Sequence, residues 1–501
     1  MAESSTNTTG FFGHPAGLST LFFTEMWERF SYYGMRALLI LFMTTAASEG
    51  GLGFDETKSA AIYGLYTAGV YLLALPGGWM ADRVIGTRKS IWYGGIIIML
   101  GHFILAIPAV FAFYIGLVFI VVGTGLLKPN ISAIVGSLYS EDEPARRDAG
   151  FSIFYMGINV GAFLGPLICG YVAEEIDWHL GFALAGFGML FGLIYYRMSA
   201  EKNLGDIGLH PNKDSDNNEG ADAGQTKVIG LVFTGIAIAI IAALQMTGTI
   251  DLFTARGLAE AVGVLIAIII VLYFLYVVIA GGLTTDERKK VIVIFFLVLG
   301  AAMFWAGFEQ AGSSLNLFAD RYTDRVIGGW EVPASWYQSI NAMFIIIFAP
   351  IFGWLWVELA KRNLNPRTPL KFGFGLIMLG LGFFVMVKAA DIAASGLEAA
   401  PFYLILTYFL HTVGELTLSP VGLSTTTKLA PKRYVSQMMG MWFVGTAFGN
   451  LIAGLIAGNF DDESVAQMPD LFMSVVTTSV GAGIVLLILS PWLMKWMGDV
   501  K

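Results

Sequence analysis

Fourteen segments of this chain are apolar over the length that a helix needs to cross a bilayer. They lie near residues 18–46, 57–81, 90–110, 112–138, 149–173, 180–199, 228–247, 258–281, 290–318, 334–358, 370–390, 400–428, 434–458 and 472–496. About twenty apolar residues in a helix span the roughly 30 Å hydrocarbon layer. Inside that layer every backbone N–H and C=O must be paired within its own helix or around a closed barrel. The segments are near-continuous apolar runs, not the ten-residue alternations of a transmembrane barrel. The pattern therefore calls for an all-α polytopic membrane protein with 14 transmembrane helices. Charge agrees: Asp, Glu, Lys and Arg make up 13% of the 501 residues, about half the roughly 25% of a soluble domain.

The start, "MAESSTNTTG", lacks the basic region of a secretory signal peptide, so no cleavage is expected. Cys169 is the single cysteine, which excludes an intramolecular disulfide and a thiolate metal cluster. The net charge of −8 says little about partners; its distribution says more. One set of loops collects Arg83, Arg88, Lys89, Arg146, Arg147, Arg197, Lys202, Arg288, Lys289, Lys290, Lys361 and Arg362, among others. The opposite set holds only Lys58, Arg256, Arg321, Arg325 and Lys388. The positive-inside rule then places both termini in the cytoplasm. The polar stretch 201–227 reads as a flexible cytoplasmic linker. It separates an N-terminal six-helix bundle, residues 1–200, from two nearly uncharged inserted helices, 228–281, and a C-terminal six-helix bundle, 290–501. The inserted pair reads as a lipid-facing addition, and six plus six helices suggest two similar bundles.

Charges inside the first span are the feature most in need of a reason. In "TEMWERFSYYGMR", Glu28, Arg29, Tyr32, Tyr33 and Arg36 all fall within about 80° of Glu25 at about 100° per residue. Each ionised side chain at the bilayer centre costs about 2.5–3.5 kcal/mol, so the stripe must face protein or water. A structural ion-pair network between helices would also meet that demand. In the fourth span Lys128 lies about eleven residues, or about 17 Å, from the cytoplasmic end, too deep to snorkel. Pro129 beside it permits a bend. Asn159, among the glycines of "FYMGINVGAFLGP", reads equally as a binding group and as interhelical glue.

The second half offers Trp305 and Glu309 in "FWAGFEQAGSSL", Asn341, Glu415 in "LHTVGELTLSPVGLS", and Trp442. By depth, Arg36 and Glu309 fall in the outer half of the membrane, and Lys128 and Glu415 near its middle. Pairing them gives two ion pairs, one above the other, each joining the first bundle to the second, as an alternating-access carrier requires. "GGWMADRVIGTRKS" resembles the loop motif of the major facilitator superfamily through Gly78, Asp82, Arg83, Gly86 and Arg88. We read Asp82 and Arg83 as gating residues, not ligands. "GWLWVELAKRNLNPRTP" is a weaker counterpart in the second half. No HExxH, GxxxxGK[ST] or GxSxG motif is present, so zinc protease, ATPase and serine hydrolase readings have no support and an enzyme is not expected. His102 and His411 stand alone in their spans and read as packed or pore-edge histidines.

"EMWERFSYYG" resembles the ExxERFxYY signature of the proton-dependent oligopeptide transporters. "LKPN", "FYMGINVGA", "FEQAG" and "GELTLSPVGLS" resemble that family's other signatures, in the same order and over essentially the whole chain. The resemblance implies a major facilitator core of two six-helix bundles, with the two extra central helices of prokaryotic members. It also implies a symporter importing di- and tripeptides with protons, in the inner membrane. It assigns proton coupling to Glu25, Glu28, Arg29 and Glu309. The gate pairs it implies are Arg36 with Glu309 and Lys128 with Glu415. The peptide's amino end would meet Glu415, Asn159 and Asn341, and its carboxylate Arg36 and Lys128. Tyr32, Tyr33, Tyr71, Trp305 and Trp442 would line the side-chain space. No cofactor or metal is implied beyond protons, and no nucleic acid; the partners are peptide, protons and membrane lipid, with function as a monomer. Two positions depart from the family. Gly64 stands where animal members carry a histidine, and Ala162 where the helix-five signature has serine. A relative carrying nitrate or another small anion is the alternative, which the acid Glu415 and the two asparagines disfavour.

Overall fold

The computed structural model of the chain describes residues 9–140, 142–211, 238–460 and 462–498, together with Gly235. Among them, 11 helical segments are long and apolar enough to cross a membrane. The three remaining spans expected from the sequence each have a reason to differ. Helix α1, Gly17–Thr44, has the length but carries Glu25, Glu28, Arg29 and Arg36. In chain order follow α2, Glu56–Leu72, α3, Ala74–Met80, and α4, Thr87–Leu105. Helix α4 is short and opens with Arg88 and Lys89. The segment 228–247 lies partly outside the described residues and is helical at 238–246.

The chain divides into two compact units, Met1–Leu52 with Gly69–Gly220, and Gly53–Ala68 with Ala221–Lys501, so the boundary falls inside α2. Lipid tails are as apolar as leucine, so packing of small residues, not hydrophobic burial, holds such helices together. In the first unit α1 packs on α6, Pro144–Glu175, and α7, Trp178–Leu204, while α4 packs on α5, Val110–Ser137, and on α7. Gly161 of α6 lies so near α1 that a Cβ there would sit 2.2 Å from the Met26 carbonyl and 2.9 Å from Arg29 Cβ. That contact fixes the charged stretch of α1 against its neighbour. Cys169, one stretch further along α6, is fully buried with its Sγ packed on Gly34. A short hairpin, β1 (Thr9–Phe11) with β2 (His14–Pro15), precedes α1. His14 Nδ1 lies 3.0 Å from Tyr139 Oη, and Arg146 donates to the Gly13 carbonyl.

The linker begins later than its composition implies. Helix α7 runs on to Leu204, where Gly205 at φ 55° ends it, a position that favours glycine. The following turn is docked, not loose. Arg88 N donates to Gly208 O at 2.9 Å, and the Arg88 guanidinium donates to Gly205 O. The Gly208 carbonyl thus caps one of the N–H groups that the first turn of α4 leaves without an intrahelical partner, and the Gly205 carbonyl holds the Arg88 side chain. Residues 212–227 of the expected linker lie outside the described residues.

The second unit contains α8, Ala255–Ala280, α9, Thr285–Phe308, α10, Ser314–Tyr322, α11, Ser339–Lys361, α12, Thr368–Ala394, α13, Phe402–Leu429, α14, Val435–Ala457, and α15, Met468–Met497. The Thr284 and Glu287 capping box starts α9, satisfying two of its leading N–H groups. The span expected over 290–318 is interrupted: α9 ends at Phe308, and Glu309–Gly312 form a 3-10 turn before α10. Gly64 of α2 meets Gly454 of α14 nearly backbone to backbone. A Cβ on Gly64 would lie 3.1 Å from Gly454 Cα and 3.1 Å from Leu451 O. A Cβ there would need the two backbones to part by a few tenths of an ångström, so the glycine at this position goes with close approach of the two helices.

Helix α8, the second of the pair expected as an insertion, buries Ala259, Gly263, Ile266, Ile270, Phe274 and Val277 along one side and exposes Val271, Leu275 and Ile279. Its packing partners are α14 and α9. Polar ties pin it to the chain around α14. Tyr273 Oη donates to Gln437 Oε1 at 2.8 Å, Arg256 reaches Asn459 at 3.3 Å, and Arg433 donates to the carbonyls of Gly281 and Gly282.

Candidate functional site

Burial of charge on α1 is the centre of the first unit's site. Glu25, Glu28 and Arg29 are 3%, 0% and 3% exposed. Arg29 Nε lies 3.1 Å from Glu25 Oε1 and also donates to Glu28 Oε2. The (i, i+4) spacing supplies the first contact at no cost in backbone distortion. Two carboxylates face one guanidinium in the cluster. A buried pair of this kind contributes little net stability, because desolvation offsets the attraction. Retaining it suggests use. The Arg29 guanidinium sits 5.2 Å from the Tyr32 ring, Arg36 sits 5.0 Å from Tyr33, and the two tyrosine rings meet edge to face at 5.1 Å. Lys128 Nζ stands 3.8 Å above the Tyr71 ring. Each cation thus rests on an aromatic face, worth about 0.5–2 kcal/mol. Asn159 is buried and donates to Tyr155 O of its own helix at 2.9 Å.

The second unit presents an acid and an amide together. Asn341 Nδ2 donates to Glu415 Oε2 at 3.2 Å and to Thr412 Oγ1 at 2.9 Å. Thr412 and Glu415 are three residues apart on α13, so one carboxamide from α11 fixes both. Glu309 caps α9 at the start of the 3-10 turn, and its carbonyl accepts from Tyr63 Oη at 3.4 Å. Trp305 packs edge-on against Phe304 and Phe308, with ring centroids 5.7 and 5.2 Å away. Trp442 meets Phe372 at 6.2 Å. Arg36 and Lys128 belong to the first unit, Glu309 and Glu415 to the second.

In the loop motif, Asp82 is exposed and Arg83 lies 5.8 Å from the Trp79 ring. Arg88 makes the ties to the post-α7 turn. His102 and His411 are fully buried. His411 is flanked by Phe383 and Phe308, at 5.0 and 6.3 Å, as a packed histidine would be. Thr412 and Tyr63 are the residues that sequence reasoning missed. The spacing of Thr412 from Glu415 was the available signal; nothing local marks Tyr63.

Long apolar helices, with a cluster of charged side chains buried on α1, define a polytopic membrane protein. The family model described as POT family, PTR2, matches residues 88–203 and 271–472. The chain is 45% identical to the uncharacterized transporter YclF of Bacillus subtilis (strain 168), over 98% of this chain and 96% of the relative. It is 42% identical to the peptide transporter YePEPT of Yersinia enterocolitica subsp. palearctica serotype O:3, over 100% and 99%. A crystal structure of a peptide transporter in complex with sulfate matches with a TM-score of 0.85 at 42% identity, covering 97% of both chains. The chain belongs to the POT family, and its fold is the major facilitator arrangement of that family.

Proposed function

We propose that this protein is a symporter that imports di- and tripeptides with protons by alternating access, across the bacterial inner membrane and with both termini in the cytoplasm. It acts as a monomer and uses no cofactor beyond the proton. The observation that carries the reading is the held carboxylate of Glu415, presented beside the Asn341 carboxamide. An acid with an amide oxygen nearby suits a peptide's ammonium end and repels nitrate or any other anion. Arg36 and Lys128 supply cations for the peptide carboxylate. The rings of Tyr33 and Tyr71 orient them. Tyrosine and tryptophan walls give roomy, weakly discriminating contact with side chains that differ between peptides.

Coupling follows from competition. The peptide carboxylate draws Arg36 from Glu309 or Lys128 from Glu415, and the released carboxylate takes up a proton. Glu25, Glu28 and Arg29 carry the same exchange on α1. Each proton entering down 100 mV supplies about 2.3 kcal/mol. The relatives named as peptide transporters support this reading.

The test is uptake of labelled dialanine into proteoliposomes, with and without an inward proton gradient, for wild type and Glu25→Gln. Gradient-driven accumulation lost in the variant, with counterflow exchange retained, is the expected result. No uptake by the wild type under any gradient would overturn the substrate assignment.

A further inference from the structure

An apolar groove of about 400 Å³ opens on the outside of the first unit between α4 and α7. Trp92, Ile96 and Met99 form one wall, and Leu193, Ile194 and Arg197 belong to the other. On α4 the wall positions follow at three- and four-residue steps, and Lys89 heads the same stripe three residues before Trp92. Arg197 stands at the matching end of α7, with 72% of its side chain exposed. The groove therefore has a cationic mouth and a hydrocarbon floor. Its walls run seven to eight residues along the helices, or about 10–12 Å. That is most of one leaflet of a hydrocarbon core about 30 Å thick. The mouth lies at the lysine- and arginine-rich ends of both helices. Trp92 stacks there on the buried Tyr196, with centroids 6.4 Å apart, which fixes the indole as a wall of the groove.

We infer that this groove is a binding site for one anionic phospholipid, with an acyl chain along Trp92, Ile96 and Leu193 and its phosphate at Arg197 and Lys89. Charge complementarity selects this occupant. A zwitterionic headgroup would fill the same groove but gain less from two exposed cations. Glu201 opposes the anion: its Oε2 lies 4.0 Å from the Arg197 guanidinium and it is itself exposed. This gives the site an internal control of opposite sign. None of these residues belongs to the transport machinery described above.

The experiment is native mass spectrometry of the purified full chain, titrated with equal amounts of dioleoyl phosphatidylglycerol and dioleoyl phosphatidylcholine. The wild type should retain phosphatidylglycerol preferentially. Arg197→Gln and Lys89→Gln should each lower that preference by about fivefold, the effect of one basic residue near an anionic lipid surface. Glu201→Gln should raise it. Leu193→Trp should reduce retention of both lipids by filling the groove. Proteoliposome uptake of dialanine by each variant confirms folding. Equal retention of the two lipids by the wild type would overturn the inference. So would an unchanged preference in Arg197→Gln, or a fall in Glu201→Gln.

Discussion

Replacing Gly454 with alanine tests how α2 is held against α14. A methyl group at 454 would lie 2.6 Å from Gly64 Cα, 2.6 Å from Ala60 O and 2.8 Å from Gly64 N. All three atoms are backbone, so no rotamer change relieves the clash. Reaching ordinary contact at 3.4 Å requires the helices to part by 3.4 − 2.6, or about 0.8 Å. Overpacking of this kind costs about 1–3 kcal/mol, and glycine to alanine within a helix returns about 0.8–1 kcal/mol. The net loss is up to about 2 kcal/mol, with about 1 kcal/mol at mid-range. Gly64→Ala meets nothing closer than 3.1 Å. It needs a shift of about 0.3 Å, which the helix propensity gain of about 1 kcal/mol offsets. The assay is thermal unfolding of purified protein in detergent, followed as loss of the monodisperse peak in size-exclusion chromatography. Gly454→Ala should lower the midpoint by about 2–4 °C, while Gly64→Ala stays near the wild type. Equal losses, or a larger loss at Gly64, would refute the argument that backbone contact at Gly454 sets the helix spacing.

Asn341→Leu removes the donor to Glu415. A hydrogen bond to a charged group contributes about 1.5–3 kcal/mol, so the half-maximal concentration for dialanine competition should rise by roughly tenfold or more. An unchanged value would exclude Asn341 from the site. Arg433→Ala strips the donor from the Gly281 and Gly282 carbonyls. It should lower thermal stability while leaving dialanine uptake near wild type, and the reverse outcome would make the inserted helix part of the transport cycle. Glu56→Gln breaks a 2.8 Å pair with Arg321 whose side chains are 24% and 20% exposed. Its effect on unfolding should stay within about 1 kcal/mol; a larger loss would show a coupled network there.

Much of the architecture is legible in the sequence because bilayer thickness imposes a length on every span. The α1 stripe stands out for the same reason: charges in an apolar window are conspicuous, and helical spacing alone puts them on one face. What the sequence hides depends on distance along the chain. Asn341 and Glu415 are 74 positions apart, so only the packing of α11 on α13 brings them together. Thr412 is an ordinary threonine until that packing gives it a donor. The break at Glu309 carries no proline, and its only local marks are Gly307, Gly312 and Ser313. Gly64 invites reading as a lost histidine. The structure gives it a positive role as the surface on which α14 rests. The docked turn after α7 was obscured by composition, since its ties are backbone carbonyls that any residue could supply.

The burial of Cys169 has a practical consequence. Its thiol is sealed behind Gly34 at 0% exposure, out of reach of a maleimide or a spin label. The natural chain is therefore already a silent background for thiol chemistry. A cysteine introduced at any exposed position would be the one site that reacts. Distances and accessibility during transport can then be followed without first altering the α1–α6 interface that Cys169 helps to fill.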